Sequence, residues 1–161
     1  MENEYLKIVN KRKQLEFLNI KECNQYTSKY GLTLSDKQIS DLLVKRTEIL
    51  KETGRIEFRE GILNKLIKEF CDSPYIIQEN YIETLYALIE IFYEYKNETM
   101  DLITDDELIE FMKKAFDGEC KGDTEYLAGT IMYNMRKELL NGKSINNIET
   151  GEAHRWAWSY K

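Results

Sequence analysis

The stretch Asn80–Asn97 reads NYIETLYALIEIFYEYKN and is the most strongly patterned part of the 161-residue chain. Four apolar residues recur at the spacings of three and four that place side chains on one helix face: Ile82, Leu85, Ile89 and Phe92. Aromatic and apolar residues flank that face: Tyr81, Leu88 and Tyr95 on one side, Tyr86 and Tyr93 on the other. A polar seam remains: Glu83, Ala87, Glu90, Glu94 and Asn97. Because so apolar a helix is usually covered on several sides, the stretch predicts a central, largely buried helix over 80–97.

A rigid corner precedes this helix, in the motif FCDSPYI over Phe70–Ile76. Pro74 lacks an amide proton and pushes Ser73 out of the helical region, so a helix cannot continue through it. Apolar residues at helical spacing predict another helix before the corner, over about Arg59–Phe70. The chain is therefore expected to turn sharply between its third helix and the central one.

Two capping boxes predict where two further helices begin. Ser35 and Gln38 can each bond the other's backbone amide, and Thr104 with Glu107 repeats the arrangement. The second helix is then expected to end at Gly54. Three carboxylates complement the positive end of the fifth helix dipole: Asp105, Asp106 and Glu107.

The first segment, Glu4–Tyr30, is predicted to be helical in one or two pieces, because the polar run NKRKQ interrupts its apolar pattern. Leu15–Ile20 is open between helix and strand, since Leu15 and Phe17 also alternate. The positions that resume helical spacing after the polar run are Leu15, Leu18, Glu22 or Cys23, Tyr26 and Tyr30.

A sixth helix is expected from Asp123 or Thr124 to about Leu140. Gly129 within it costs about 1 kcal/mol relative to alanine, which suggests a close approach to a neighbouring helix. From residue 141 no helical period is sustained.

Together these patterns predict an all-α fold, a single-domain bundle of about five to six helices over 1–140, followed by an aromatic C-terminal tail over 141–161. The tail holds Trp156, Trp158 and the only histidine, His154. Because two tryptophans are costly to leave in water, we expect the tail to dock on this chain or on another.

Composition favours a cytoplasmic protein and argues against two classes of partner. The net charge of −6 is a poor basis for nucleic-acid binding, and the short basic cluster Lys11–Lys13 is expected to be a solvated face. The chain has no apolar run of about 18 residues that would span a membrane. Its charged start predicts no secretory signal, and its three widely separated cysteines are expected to be reduced thiols.

No complete catalytic or metal-binding motif is present, so we assign no catalytic residue, cofactor or metal ligand. The acids at 105–107 are accounted for by the helix dipole. The loop after Phe116 resembles a calcium-binding loop, but Lys121 and Ala128 stand where oxygen ligands are required. His154 has no partner that the sequence can name for a nucleophilic mechanism.

The tyrosines around the central helix have two interpretations. In the first they line the core periphery, with hydroxyl groups that reach water. In the second they form an aromatic, acid-rimmed pocket near the Asp72–Tyr75 corner that would suit a small ligand or a basic partner. The candidate surface or pocket residues are Cys71, Asp72, Tyr75, Tyr93, Tyr95, Asp105, Asp106, Trp156 and Trp158.

Six stretches occur in order along most of residues 23–130: YGLTLS (Tyr30–Ser35), GRIEF (Gly54–Phe58), FCDSPYI (Phe70–Ile76), IEIFYEYKNET (Ile89–Thr99), DDELIEFM (Asp105–Met112) and FDGECKGDTEYLAGT (Phe116–Thr130). Together they resemble a domain of unknown function from clostridia and related anaerobic Firmicutes. The resemblance implies an uncharacterised cytoplasmic helical protein. It carries no activity, cofactor or catalytic residue.

These observations favour a non-catalytic protein-interaction or regulatory module that acts with a protein partner or as a homo-oligomer. The alternative is a small-ligand-binding protein or enzyme with the tyrosine- and acid-lined pocket near Asp72–Tyr75. A third hypothesis is nucleic-acid binding through the basic cluster Lys11–Lys13.

Overall fold

The computed structural model describes residues 3–58 and 61–150, which form helices and the turns between them. In chain order the helices are α1 (Asn3–Thr27), α2 (Asp36–Thr53), α3 (Leu63–Phe70), α4 (Tyr81–Glu98), α5 (Asp105–Asp117) and α6 (residues 124–140). No β-strand occurs in that part of the chain, so the predicted all-α bundle is confirmed.

Both predicted capping boxes are present. The Gln38 amide donates to Ser35 Oγ at 3.1 Å, and the Ser35 amide donates to Gln38 Oε1 at 2.9 Å. At the start of α5 the Glu107 amide donates to Thr104 Oγ1 at 3.1 Å, and the Thr104 amide donates to Glu107 Oε1 at 3.0 Å. Each pair satisfies amides that the first turn of a helix leaves unbonded.

The first segment is one continuous helix, α1, followed by a 3-10 turn at Ser28–Tyr30. Leu15–Ile20, which the sequence left open, is helical. The polar run NKRKQ does not interrupt α1, because lysine, arginine and glutamine all favour helix.

The face of α1 that packs on the bundle differs from the prediction. The buried residues are Ile20, Cys23 and Thr27, with Phe17 partly buried against the core. On the predicted face Leu15, Leu18, Tyr26 and Tyr30 are exposed, and of the alternatives Glu22 and Cys23 only Cys23 is buried. Because α1 carries apolar side chains on more than one side, spacing alone did not identify the buried one.

The third helix is shorter than predicted. It begins at Leu63 rather than near Arg59, which lies outside the described residues, because Gly61 and Ile62 form a turn. It ends at Phe70, as the Pro74 corner requires, and a 3-10 turn at Gln78–Asn80 leads into α4.

The last helix, α6, contains one wide π-helical turn. Its consecutive segments are Thr124–Tyr126 (α), Leu127–Ile131 (π) and Met132–Leu140 (α). Gly129 lies in the π-helical turn, is exposed, and a Cβ atom built on it would meet nothing within 4 Å. The prediction that a neighbouring helix approaches closely at Gly129 is therefore wrong.

The central position of α4 is confirmed. It packs against α2, α3, α5 and α6, while α1 packs against α2 and α3. Most of the predicted seam is exposed: Glu83, Glu90, Glu94 and Asn97. The buried residues of α4 are Tyr81, Leu85, Leu88, Ile89, Ile91, Phe92, Tyr93, Tyr95 and Lys96.

Part of the segment after α6 packs on the bundle. Ile145 and Ile148 are buried around a 3-10 turn at Ile145–Asn147. Trp156, Trp158 and His154 lie outside the described residues. In residues 3–58 and 61–150 there is no helix with the length and apolar character needed to cross a membrane.

Candidate functional site

The Pro74 corner is tied to α5 by an ionic network. Lys113 Nζ lies 2.7 Å from Asp72 Oδ1 and 2.8 Å from Asp117 Oδ2, and Ser73 Oγ donates to Asp117 Oδ1 at 2.6 Å. Burial by itself would lower the pKa of Lys113, but its hydrogen bonds to Asp117 and Asp72 raise it, so the ammonium group stays charged. The carboxylates that suggested a binding site at the corner are thus used within the chain.

Tyr75 packs against the loop that follows α5. Its ring meets Phe116 edge-on, with centroids 6.5 Å apart, and its backbone amide donates to Ser73 Oγ at 3.2 Å. Gly122 presses on the same side chain, because a Cβ atom at residue 122 would lie 2.5 Å from Tyr75 Cβ. Two of the motifs that carried the family resemblance, FCDSPYI and FDGECKGDTEYLAGT, therefore hold each other in place.

The three cysteines are buried and form no disulfide bond, and two of them have clear pKa shifts. Burial raises the pKa of the Cys71 thiol and raises that of Cys120 to about 12. Cys71 Sγ donates to the backbone oxygen of Lys68 at 3.3 Å. Since the thiolate is the reactive form, neither group is suited to nucleophilic chemistry at neutral pH.

A second polar network joins the α2–α3 connector to the central helix. Arg46 Nε donates to Glu57 Oε1 at 3.0 Å, and the Tyr93 hydroxyl donates to the same oxygen. Arg46 Nη1 also lies 3.8 Å from Glu16 Oε1 on α1. Burial, followed by the Glu57 carboxylate, raises the pKa of Tyr93 above its ordinary value, so the phenol remains a donor. This network fixes the connector on the bundle.

The remaining candidates on α4 and α5 are also bonded within the chain. Tyr95 donates to a backbone oxygen of α6 at 2.5 Å, and burial raises its pKa to about 12. Asp105 Oδ1 lies 2.8 Å from Lys96 Nζ, and Asp106 Oδ1 lies 2.9 Å from Lys65 Nζ. These contacts hold α4, α5 and α3 against one another.

The structure therefore brings some candidates together and separates others. Cys71, Asp72 and Tyr75 share the corner, whereas Tyr93 and Tyr95 lie in the core with partners on different elements. None of these candidates lines the clefts between α1 and α2, between α1 and α3, or between α5 and the segment after α6. Their role in binding stays a prediction.

The largest of those clefts is a groove between α1 and α2, with a volume of about 820 Å³. Leu18 and Val44 stand on its two walls with 52% and 57% of their surface exposed, and Phe17 and Leu43 are partly buried beneath them. We call it the α1–α2 groove; its lining residues are Lys13, Gln14, Glu16, Phe17, Leu18, Ser40, Leu43, Val44, Thr47, Glu48 and Lys51. Its size falls in the range of real binding sites.

Two ion pairs set the relative direction of the groove walls. Lys21 on α1 pairs with Asp36 at the start of α2, at 3.1 Å, and Glu16 lies near Arg46 further along α2. The later residue on α1 contacts the earlier residue on α2, and the earlier one contacts the later, so the two helices are antiparallel. The N-terminal end of the α1 wall, at Lys13, lies beside the C-terminal end of the α2 wall.

A smaller cleft of about 340 Å³ lies between α1 and α3 and is mainly polar. Its lining includes Asn19, Asn64 and Lys68, and the Cys23 thiol at its base donates to Asn64 Oδ1 at 3.5 Å. Within residues 3–58 and 61–150, no three His, Cys, Asp or Glu side chains are grouped so that they could hold a metal ion.

Sequence reasoning missed the α1–α2 groove, although one signal was available. Val44 falls outside the buried stripe of α2 and yet is a large apolar residue. On α1 the helical spacing groups the exposed Leu15 and Leu18 with Glu22 or Cys23, of which Cys23 is buried. An apolar residue off the core-facing stripe on each of two adjacent helices indicates a shared exposed surface.

Comparison with known proteins gives one result. A family of unknown function (DUF6323) matches residues 19–145, which include the corner, the Glu57 connector and most of the bundle. No match was found among curated proteins or among solved structures. Residues 13–18, which build the α1 wall of the groove, lie outside the family match. Because the match covers most of the chain, this protein belongs to the family of unknown function DUF6323.

Proposed function

We propose that this protein is a non-catalytic protein-interaction module whose α1–α2 groove binds an amphipathic helix. The observation that carries the proposal is the exposure of Leu18 and Val44, at 52% and 57%, on facing walls of one large groove. Exposed apolar side chains that stand together mark binding surfaces more often than isolated ones do.

The form of the groove favours a helical ligand. Two antiparallel helices make a straight trough, and an amphipathic helix can lay its apolar face into such a trough. The rim carries both signs of charge, with Lys13 and Lys51 at one end and Glu48 beside them. A ligand with a mixed-charge polar face would meet partners along this rim.

A non-catalytic role is supported by how the chain uses its reactive groups. The acids at the corner and at the start of α5 are paired with lysines, and the pKa values of the Cys71 and Cys120 thiols are raised. Catalytic sites commonly show groups whose pKa is shifted towards neutrality in an open cleft. The alternative, a ligand pocket or enzyme site near Asp72–Tyr75, has less support because Asp72 is already bonded to Lys113.

We place the module in the cytoplasm as part of the same proposal. Cys23, Cys71 and Cys120 are buried, and none of them forms a disulfide bond. Free thiols persist in a reducing compartment, whereas secreted domains tend to oxidise them to disulfides.

The test is a selection of helical peptides from a displayed library against the purified chain, with the double variant Leu18→Glu/Val44→Glu as counter-target. We expect enriched peptides with apolar residues at spacings of three and four, and binding at least about tenfold weaker to the double variant. Leu102→Glu is the matched control, because Leu102 is similarly exposed at 59% but lies in the α4–α5 connection. A selection that enriches no helical peptide, or peptides that bind the double variant equally well, contradicts the proposal.

A further inference from the structure

We infer that the helix bound by the α1–α2 groove is α1 of a second copy of this chain, so that two copies pair through their α1–α2 faces about a twofold axis. This inference rests on the proposed function and names the partner for that site. Three observations carry it: an uncovered length of α1, the place of its apolar residues and the distribution of charge.

The first observation is that one turn of α1 is exposed at every position, even where it borders the groove. Residues 11–15 are all exposed. Five consecutive residues cover more than one full turn of a helix, so no face of this turn is buried in the described bundle. An isolated helical turn in water gains little stability from its own hydrogen bonds and normally depends on packing.

The second observation is that the exposed surface here is apolar at its centre. Leu15 and Leu18 lie on one face of α1, at a spacing of three, and are 59% and 52% exposed. Val44 stands across the groove on α2 with 57% exposed. Polar residues continue the same α1 face at either end, Lys11 before Leu15 and Glu22 after Leu18. The apolar part is therefore short and bounded, as in the core and rim of an interface.

The third observation is charge. The charged residues that line the groove balance, with Lys13 and Lys51 against Glu16 and Glu48, although the whole chain carries a net −6. Two copies of an acidic protein repel each other over most of their surfaces. A neutral face is where two copies can approach at least electrostatic cost.

The distribution of charge also gives the direction of pairing. The end of the face near residue 13 is basic, because Lys11, Arg12 and Lys13 are all exposed there. The opposite end carries the exposed Glu22, while Lys21 is paired with Asp36. An antiparallel pair sets the basic end of each copy against the acidic end of the other, whereas a parallel pair opposes like charges. Such an arrangement closes on itself as a twofold dimer, since each copy supplies the same groove and the same helix.

Sedimentation velocity of the full chain, from about 1 to about 500 µM, tests the inference. We expect a concentration-dependent dimer for the unmodified chain and for Leu102→Glu. In Leu15→Glu and Leu18→Glu the dissociation constant should rise at least about tenfold, because a carboxylate would be buried at the centre of the interface. Both leucines are exposed in the single chain, and far-UV circular dichroism checks that each variant remains folded.

Cysteine cross-linking tests the direction. The midpoint of the α1 face that Lys11 and Glu22 bound falls between Leu15 and Leu18, so an antiparallel pair sets Leu15 near the twofold axis. Leu15→Cys should therefore form a disulfide-linked dimer on oxidation. Lys11→Cys is the matched control on the same face. It lies one turn from Leu15, so in an antiparallel pair its two copies are separated by about 12 Å or more and do not link. Linking of both variants with equal yield means a parallel pair and overturns the inference.

The outcomes separate this inference from the proposed function. A chain that stays monomeric at every concentration and still binds helical peptides in the groove overturns self-association, and leaves the interaction module standing. A dimer that survives both leucine variants places the interface elsewhere and overturns the inference. A monomer that instead shifts a DNA probe at low salt through Lys11–Lys13 also overturns it.

Discussion

Replacing Arg46 with methionine is expected to destabilise the fold by about 3 kcal/mol, because it strands a carboxylate inside the bundle. Arg46 is only 4% exposed, and its Nε is 3.0 Å from Glu57 Oε1. The Glu57 side chain is itself only 16% exposed, so water cannot fully replace the lost guanidinium group. Methionine approximates the length of the arginine stem, so the variant removes the charge and leaves most of the packing.

The expected loss of unfolding free energy in Arg46→Met depends on the contacts that Glu57 keeps. Removing one partner of a buried ion pair costs about 3–5 kcal/mol. The low end applies here because the Tyr93 hydroxyl still donates to Glu57 and the carboxylate keeps some contact with water. For a chain of this length, about 3 kcal/mol corresponds to a fall in Tm of about 6–12 °C.

Urea unfolding followed by far-UV circular dichroism measures the free energy of unfolding for a double-mutant cycle. We expect Arg46→Met with Glu57→Gln to be more stable than Arg46→Met alone by about 1–2 kcal/mol, because the amide needs no counter-charge. Lys45→Met is the matched control: its pair with Glu90 is more exposed, so it should cost less than about 1 kcal/mol. A loss below about 1 kcal/mol for Arg46→Met, or strict additivity in the cycle, would refute the stranded-charge explanation.

Two further predictions concern the connections between helices. Gly122→Ala should cost about 3 kcal/mol, because its positive φ of 82° disfavours a side chain and the new Cβ would lie 2.5 Å from Tyr75 Cβ. Gly142→Ala has a similar φ of 93° but open space around it, so it should cost only about 1 kcal/mol; equal losses in thermal unfolding would contradict the steric account. The pKa of Asp101 is lowered, mainly by its hydrogen bond from Arg55, so this interaction stabilises the fold above about pH 4 and is lost as the pH falls through the folded pKa. The stability difference between the unmodified chain and Asp101→Asn should be below about 1 kcal/mol at pH 7 and shrink as the pH falls below about 4; a difference independent of pH would contradict this account.

Much of the local structure could be predicted because its causes lie within a few residues of one another. The capping boxes at Ser35 and Thr104 join residues three apart, and Pro74 ends α3 through its own geometry. The period of Asn80–Asn97 predicted a central helix, and α4 occupies that position. None of these features depends on where distant parts of the chain lie.

The candidate site could not be predicted in the same way, because its residues are paired across the chain. Asp72 and Lys113 are 41 residues apart, and Tyr93 and Glu57 are 36 apart. Spacing within one helix contains no information about such partners. Asp72 and Tyr93 could therefore be taken for ligand-binding residues from the sequence, whereas in the fold they bond to Lys113 and Glu57.

The sequence by itself determined that this protein is a helical bundle, where its capped helices begin, and that 80–97 forms the axis. Local hydrogen bonds and apolar periodicity were sufficient for these features. Only the tertiary structure decided which face of α1 is buried, since Leu18 and Ile20 lie on different faces of a helix that is apolar on both. Helices α2 and α3 pack over the face of α1 that carries Ile20. Leu18 is left exposed beside Val44, and together they line the α1–α2 groove.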